Sequence, residues 1–238
     1  MTAIILCINR MKQTDKIVFL VDVDDTLLDN DRIQEDLKDY IEQEFGPKCR
    51  DQYWTLQEKL FQDLGYRDYL GAFQLFRVMH PYEHHLVTAA NYLVDYPFRK
   101  RLYPRALDVL ARLREWGRTV ILTDGDVVFQ PRKVVRSGIF KAVDGHVLIY
   151  VHKEAALADV QRRYPAKHYV VVDDKLRILD AIKKAWGKQV TTVFPCQGKF
   201  ANDPKIQPAF PEAADVKIER IRDLLRIDFA RVIGAKMK

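Results

Sequence analysis

Cysteine is scarce and unpatterned. Cys7, Cys49 and Cys196 are far apart, odd in number and form no C-x-x-C pair. That excludes a disulfide framework and fits a reducing compartment. No apolar run approaches the ~20 residues of a membrane span, so no membrane partner is expected. Residues 3–7, A-I-I-L-C, are too short and wrongly flanked for a signal peptide. Met11 is as good a start as Met1, because the first strand pattern begins only at Lys16, and the first ten residues carry no structural information. There is no internal repeat, no low-complexity segment and no basic tail. The net charge of +6 comes from Lys and Arg interleaved with Asp and Glu. That argues against a nucleic-acid partner and is compatible with anionic small molecules. A cytoplasmic protein of open oligomeric state is expected.

What is present suits one α/β domain, or a core with an insertion, in 238 residues. An apolar content of 48% allows a sizeable core without staples. The stretch from Lys16 to Leu28, K-I-V-F-L-V-D-V-D-D-T-L-L, organises the rest. Ile17 to Val21 form a short, mostly β-branched apolar run that reads as a buried strand, and carboxylates follow at its carboxyl end. Open α/β sheets bind ligands at that end. From residue 29 to about 101 the pattern is helical throughout. Stripes run over about 32–45 (Ile33, Leu37, Ile41, Phe45), 50–64, 67–79 and 83–94, punctuated by Gly46-Pro47, Pro81 and Pro97.

Beyond Tyr103 strands and helices alternate. The spacing predicts strands over 119–122, 147–151, 169–172 and 190–194. It predicts helices over 105–116, 130–137, 154–163, 178–186 and, closing the chain, 216–225. The loop 195–211 holds four prolines and no clear pattern. Alternation of this kind implies a Rossmann-like parallel sheet with helices on both faces. The predicted layout is a core of residues 1–28 and 102–238 interrupted by a helical unit, 29–101, that closes over the site.

Four predicted strand ends carry chemistry: Asp22 and Asp24, Thr123, Lys153, and Asp173-Asp174. Their order and placement resemble the four motifs of the haloacid dehalogenase (HAD) superfamily of phosphohydrolases. Asp22-x-Asp24-x-Thr26 resembles the first motif, Thr123 the second and Lys153 the third, where the family often has Lys-Pro and this chain has Lys153-Glu154. Asp173-Asp174 is similar to the two-acid form of the fourth. The resemblance covers residues 16 to 226 and includes a helical cap between the first two motifs. It implies an Asp22 nucleophile forming an aspartyl-phosphate and Asp24 as general acid and base. Thr123 and the backbone N–H groups of Asp124 and Gly125 would bind phosphate oxygens, and Lys153 would neutralise nucleophile and phosphate.

Four clustered carboxylates are unstable unless they bind a cation or keep protons. A hard, oxygen-liganded site beside an anionic substrate favours Mg²⁺. By the resemblance its ligands are the Asp22 carboxylate, the Asp24 backbone carbonyl and Asp174, with Asp173 direct or water-mediated. The expected activity is a Mg²⁺-dependent phosphatase acting on a small phosphorylated metabolite. A phosphomutase, a 2-haloacid dehalogenase and a non-catalytic binding protein share the fold; a nucleic-acid end phosphatase suits a compact helical cap poorly. A dehalogenase lacks the second acid of D-x-D and has no need of metal, whereas a binding protein would show a broken motif. Lys133 and Lys141 compete with Lys153 for the lysine role, though neither follows a strand. His80, His84 and His85 read as polar cap surface, with a substrate or metal role as the alternative; Tyr66, Tyr69 and Phe73 read as core before ligand contacts; Arg67, Arg99, Lys100 and Arg101 read as solvated surface, the alternative being contact with a second anionic group on the substrate. Gln197 and Lys199 are candidate substrate contacts in the 195–211 loop.

Overall fold

The computed structural model describes residues 15–201 and 203–234; the readings made on residues 1–14, Met11 and Cys7 among them, lie outside these. Among the described residues a single sheet has six strands: β1 (Asp15–Val21), β2 (Arg118–Asp124), β3 (Val147–Tyr150), β4 (Ala166–Val172), β5 (Val190–Pro195) and β6 (Val216–Ile218). All pairings are parallel, and the spatial order is β3-β2-β1-β4-β5-β6. Successive residues of β1 point to opposite faces. Phe19 and Val21 join one apolar cluster, and Val18 and Leu20 join the other. Both faces are therefore dry, which is why this strand is a continuous apolar run rather than an alternating one.

Four α-helices fill the segment 29–101: α1 (Asn30–Phe45), α2 (Pro47–Leu64), α3 (Tyr69–Met79) and α4 (Leu86–Val94). The Asp29 side chain caps α1 by accepting from Arg32 N–H at 3.0 Å. Gly65, at φ +77°, ends α2 in the left-handed region. The Asp68 carboxylate accepts from Gly71 N–H at 2.7 Å and starts α3. The segment leaves and re-enters the core through two adjacent connections. Asp29 N–H donates to Arg101 O (2.8 Å), Tyr103 N–H donates to Leu27 O (2.9 Å), and Leu28 bridges Leu102 antiparallel.

In the core, α5 (Ala106–Trp116), α6 (Phe129–Ser137) and α7 (Ile139–Ala142) pack on the first face. On the second lie α8 (Leu157–Arg163) and α9 (Leu176–Trp186). The 195–211 loop contains two single-turn helices, α10 (Gly198–Ala201) and α11 (Ile206–Ala209), and the chain closes on α12 (Phe229–Gly234). The helix expected over 216–225 is not one. Val216–Ile218 extends the sheet beside β5, and a 3-10 turn follows over Ile221–Arg226. Apolar residues at 216, 218, 221 and 224 fit a period of two at first and of three afterwards, and the open edge of β5 decides the former. No helix of the described residues is long and apolar enough to cross a membrane.

Candidate active site

The strand order places the site. The chain runs from β1 outward through β2 to β3, then crosses back to β4 on the other side of β1, and a crevice opens at the carboxyl ends where the direction reverses. Val21 pairs with Val172. The residues that follow, Asp22 and Asp173, therefore leave the sheet side by side. Asp22 N–H donates to Val172 O at 2.9 Å, and Asp173 N–H donates to Val193 O at 3.2 Å. Asp22, Asp173 and Asp174 are all buried, and each offers a carboxylate oxygen within 4.8 Å of the others.

Lys153, fully buried after β3, holds this cluster together. Its Nζ lies 2.6 Å from Asp22 Oδ1 and 2.6 Å from Asp173 Oδ2. Burial works against its charge, but Asp173 and Asp22 outweigh that and hold its pKa well above the ordinary lysine value. The carboxyls still carry more negative charge than this one ammonium cancels. Burial raises Asp173 to about 6 against the pull of Lys153. Asp174 is pushed well above its usual range, burial again coming first, with Lys175 opposing. Asp22 Oδ2 and both oxygens of Asp174 are buried without a hydrogen-bond partner. Such oxygens are costly unless they keep protons or bind a cation. An all-oxygen donor set with orphaned, desolvated carboxylates fits a hard divalent ion.

Asp24 is separate from that cluster. Its carboxylate Oδ1 accepts from Lys133 Nζ at 2.7 Å, and Lys133 also reaches Asn30 Oδ1 at 3.1 Å. Gln130 Nε2 contacts Asp24 Oδ2 at 3.4 Å and donates to Thr123 Oγ1 at 3.0 Å. The Asp24 carboxylate is thus engaged by Lys133 and Gln130, and the metal role expected of this residue falls to its backbone carbonyl alone, as the resemblance implies. Of the two competitors for the lysine role, Lys133 lines the cavity and reaches Asp24, because α6 begins beside the crevice, whereas Lys141 is exposed. The phosphate role expected for Gly125 also changes. Its N–H already donates to Tyr150 O at 2.9 Å, and a Cβ there would meet Gln130 at 2.6 Å. Gly125 makes room for the glutamine that orients Thr123. Asp124 Oδ1 accepts from Lys153 N–H at 2.7 Å, fixing the lysine's backbone.

A cavity of about 220 Å³ lies between the helical segment and the sheet edge. Asp24, Asp25, Asp124, Gly125, Lys133 and Lys175 line it from the core side; Phe61, Gly65, Tyr66, Arg67 and Tyr69 line it from α2 and the turn after it. Asp22, Thr123, Lys153, Asp173 and Asp174 do not line it. Tyr66 and Arg67, read as core and as solvated surface, face this space; Tyr69 also lines it while belonging, like Phe73, to the buried core. His84 and His85 are exposed, and His80 pairs with Gln52 at 2.9 Å.

Residues 18–185 match the family model of haloacid dehalogenase-like hydrolases. The chain belongs to that family. A structure from Burkholderia xenovorans LB400, described as a haloacid dehalogenase-like hydrolase, is 53% identical, covers 92% of this chain and 98% of its own, and superposes with a TM-score of 0.86. Two more distant structures share the fold. The HAD-hydrolase YfnB from Bacillus subtilis, bound to magnesium, is 16% identical (TM-score 0.57; 89% and 97% covered). The L-2-haloacid dehalogenase from Xanthobacter autotrophicus with covalently bound chloropropionic acid is 18% identical (0.55; 88% and 96%). No curated protein sequence matches the chain significantly.

In this HAD-like hydrolase the loop after β1 is held from two sides. Asp25, at φ +56°, accepts from the N–H groups of Asn30 (2.9 Å) and Asp31 (3.1 Å). From the 195–211 loop, buried Gln197 donates to Asp25 O (3.2 Å) and Thr26 O (2.8 Å) and accepts from Ile221 N–H (2.9 Å). Gln197 is therefore a brace and not a substrate contact; Lys199 likewise turns away, to Asp31 and Gln34.

Burial, with Asp31 and Asp24 adding to it, pushes the Asp25 carboxyl up to about 7 against the pull of the Asp31 and Asn30 N–H groups. The folded state then holds this proton more tightly than the unfolded chain does. The contribution of Asp25 to stability therefore falls as pH rises from about 4 to about 7. Asp25→Asn keeps the acceptor oxygen and removes the charge, so in EDTA its melting temperature should fall less over that window than that of the wild type. Parallel curves would mean that Asp25 is not a source of the slope.

Proposed function

We propose that this HAD-like hydrolase is a Mg²⁺-dependent phosphatase of small phosphomonoesters, with the helical segment 29–101 as its cap. One observation carries the reading. Two carboxylates a single residue apart have opposite surroundings: Asp22 is 3% exposed against Lys153 and the acidic cluster, and the Asp24 side chain, 23% exposed, lines the cavity. Environments that differ this way separate a nucleophile from a general acid–base.

Asp22 attacks phosphorus in line, the P–O ester bond breaks, and Asp24 protonates the departing oxygen through Oδ2, the oxygen that Lys133 leaves open. Asp24 then takes a proton from water as that water attacks the aspartyl-phosphate, which releases phosphate and regenerates Asp22. Lys153 offsets charge on Asp22 throughout, and Thr123, oriented by Gln130, would bind a phosphate oxygen. Asp22, Asp173 and Asp174 would hold Mg²⁺, with the Asp24 carbonyl a further ligand. When bound, the ion neutralises carboxylate and phosphate charge.

The test is phosphate release from p-nitrophenyl phosphate and a panel of phosphorylated metabolites, with Mg²⁺ and with EDTA. Halide release from 2-chloropropionate is assayed in parallel. Asp24→Asn should slow release by roughly 10²- to 10⁴-fold. An unchanged rate removes Asp24 from the chemistry, and halide release without phosphate release would favour a dehalogenase.

A further inference from the structure

Two donors on the cap side of the cavity have bonding capacity to spare. Arg67 Nη1 is buried and makes no hydrogen bond, buried Tyr69 Oη has only the Asn30 side chain for a neighbour, and both residues line the cavity. A buried cationic donor without an acceptor is costly, so its retention at a cavity wall points to a ligand. Neither side chain is loose. Arg67 Nη2 donates to Glu58 at 3.3 Å, and the guanidinium lies 4.8 Å from the centre of the Phe61 ring. The Tyr69 carbonyl accepts from Tyr53 Oη at 2.9 Å. Arg67 sits in the turn between the Gly65 end of α2 and the Asp68 cap, and Tyr69 opens α3 with its ring 5.3 Å from that of Phe129. Burial raises the Tyr69 phenol first and Asp24 raises it further, against Arg67 and the Asn30 side chain, so the hydroxyl stays a neutral donor.

We infer that Arg67 Nη1 and Tyr69 Oη receive the substrate's end remote from phosphate, and that this end is a carboxylate: the substrates are phosphorylated hydroxy acids. The inference rests on the phosphatase reading. A carboxylate offers two oxygens to two donors, one of them charged. A hydroxyl offers one weaker acceptor. A second phosphate would bring two charges against a guanidinium already shared with Glu58. The size agrees, since 220 Å³ falls below the ~300–1,000 Å³ of drug-sized sites.

The experiment measures kcat/KM, with Mg²⁺, for two matched pairs: 3-phosphoglycerate against glycerol 3-phosphate, and 2-phosphoglycolate against 2-hydroxyethyl phosphate. Within each pair only the carboxylate differs, replaced by hydroxymethyl. The wild type should favour the acid of at least one pair by roughly 10- to 100-fold, the range for a hydrogen bond to a charged group. Arg67→Gln and Tyr69→Phe should each shrink that ratio, and Arg67→Lys should restore part of it. Because the readout is a ratio within one protein, a general loss of activity does not imitate it. Equal rates within both pairs, or a ratio that Arg67→Gln leaves intact, overturn the carboxylate assignment alone. No phosphate from any of the four esters counts against the phosphatase reading, and the assignment falls with it.

Discussion

Asp22→Asn is expected to release no measurable phosphate and to fold normally. The amide keeps the shape of the side chain and one acceptor for Lys153 but cannot attack phosphorus. Loss of a nucleophile costs on the order of 10⁴- to 10⁶-fold in turnover. Stability should hardly change, because Lys153 keeps its 2.6 Å contact with Asp173 and one negative charge leaves a cluster that has too many. Two measurements check this: the initial rate on the best ester, and hydroxylamine-sensitive phosphate on the protein after quenching. Turnover within tenfold of wild type would mean that another residue attacks. A melting temperature far below wild type would mean that Asp22 is mainly a structural partner of Lys153.

The second large effect is expected at Lys153. Lys153→Met preserves length and apolar bulk and removes the ammonium between Asp22 and Asp173. Breaking a buried ion pair from one side costs about 3–5 kcal/mol. For a chain of this size that lowers the melting temperature by roughly 6–20 °C. Activity should vanish with it. The loss of stability should be largest in EDTA and partly recovered in Mg²⁺, since an ion bound by the folded state alone stabilises it. Thermal unfolding of both proteins under both conditions is the check. Equal melting temperatures in EDTA would show that Lys153 is not the counter-ion of the cluster.

The residues that sequence made legible are those set by the main chain. Asp22, Asp173 and Asp174 each follow a buried apolar strand, and parallel strands bring their carboxyl ends to one edge, so convergence follows from pattern alone. Lys153 was also within reach. Residues that arrive from a helix face were harder to place. Lys133 stood only as a competitor of Lys153 and Gln130 carried no signal; the start of α6 beside the crevice is what turns them to Asp24 and Thr123. Gly125 looked like a phosphate-binding glycine because residue type does not reveal that Tyr150 takes its N–H. β6 is three residues long, too short for periodicity to declare it. Gln197 could not be placed, because its partners lie 171 and 172 positions away in the chain.

The paired connections at Leu27–Asp29 and Arg101–Tyr103 form a narrow neck. Everything that touches the far end of the cavity enters and leaves through it, while every carboxylate of the proposed chemistry is wired to the sheet. The helical segment is in that sense a cartridge. It cannot simply be cut out, because Tyr69 and Phe98 pack on Phe129 of the core and would leave that ring bare. It can be exchanged for another helical insert that covers the same ring, joined at the same two strands. If the segment sets substrate choice as proposed, selection on that choice and selection on bond cleavage act on stretches of gene that meet at only two junctions.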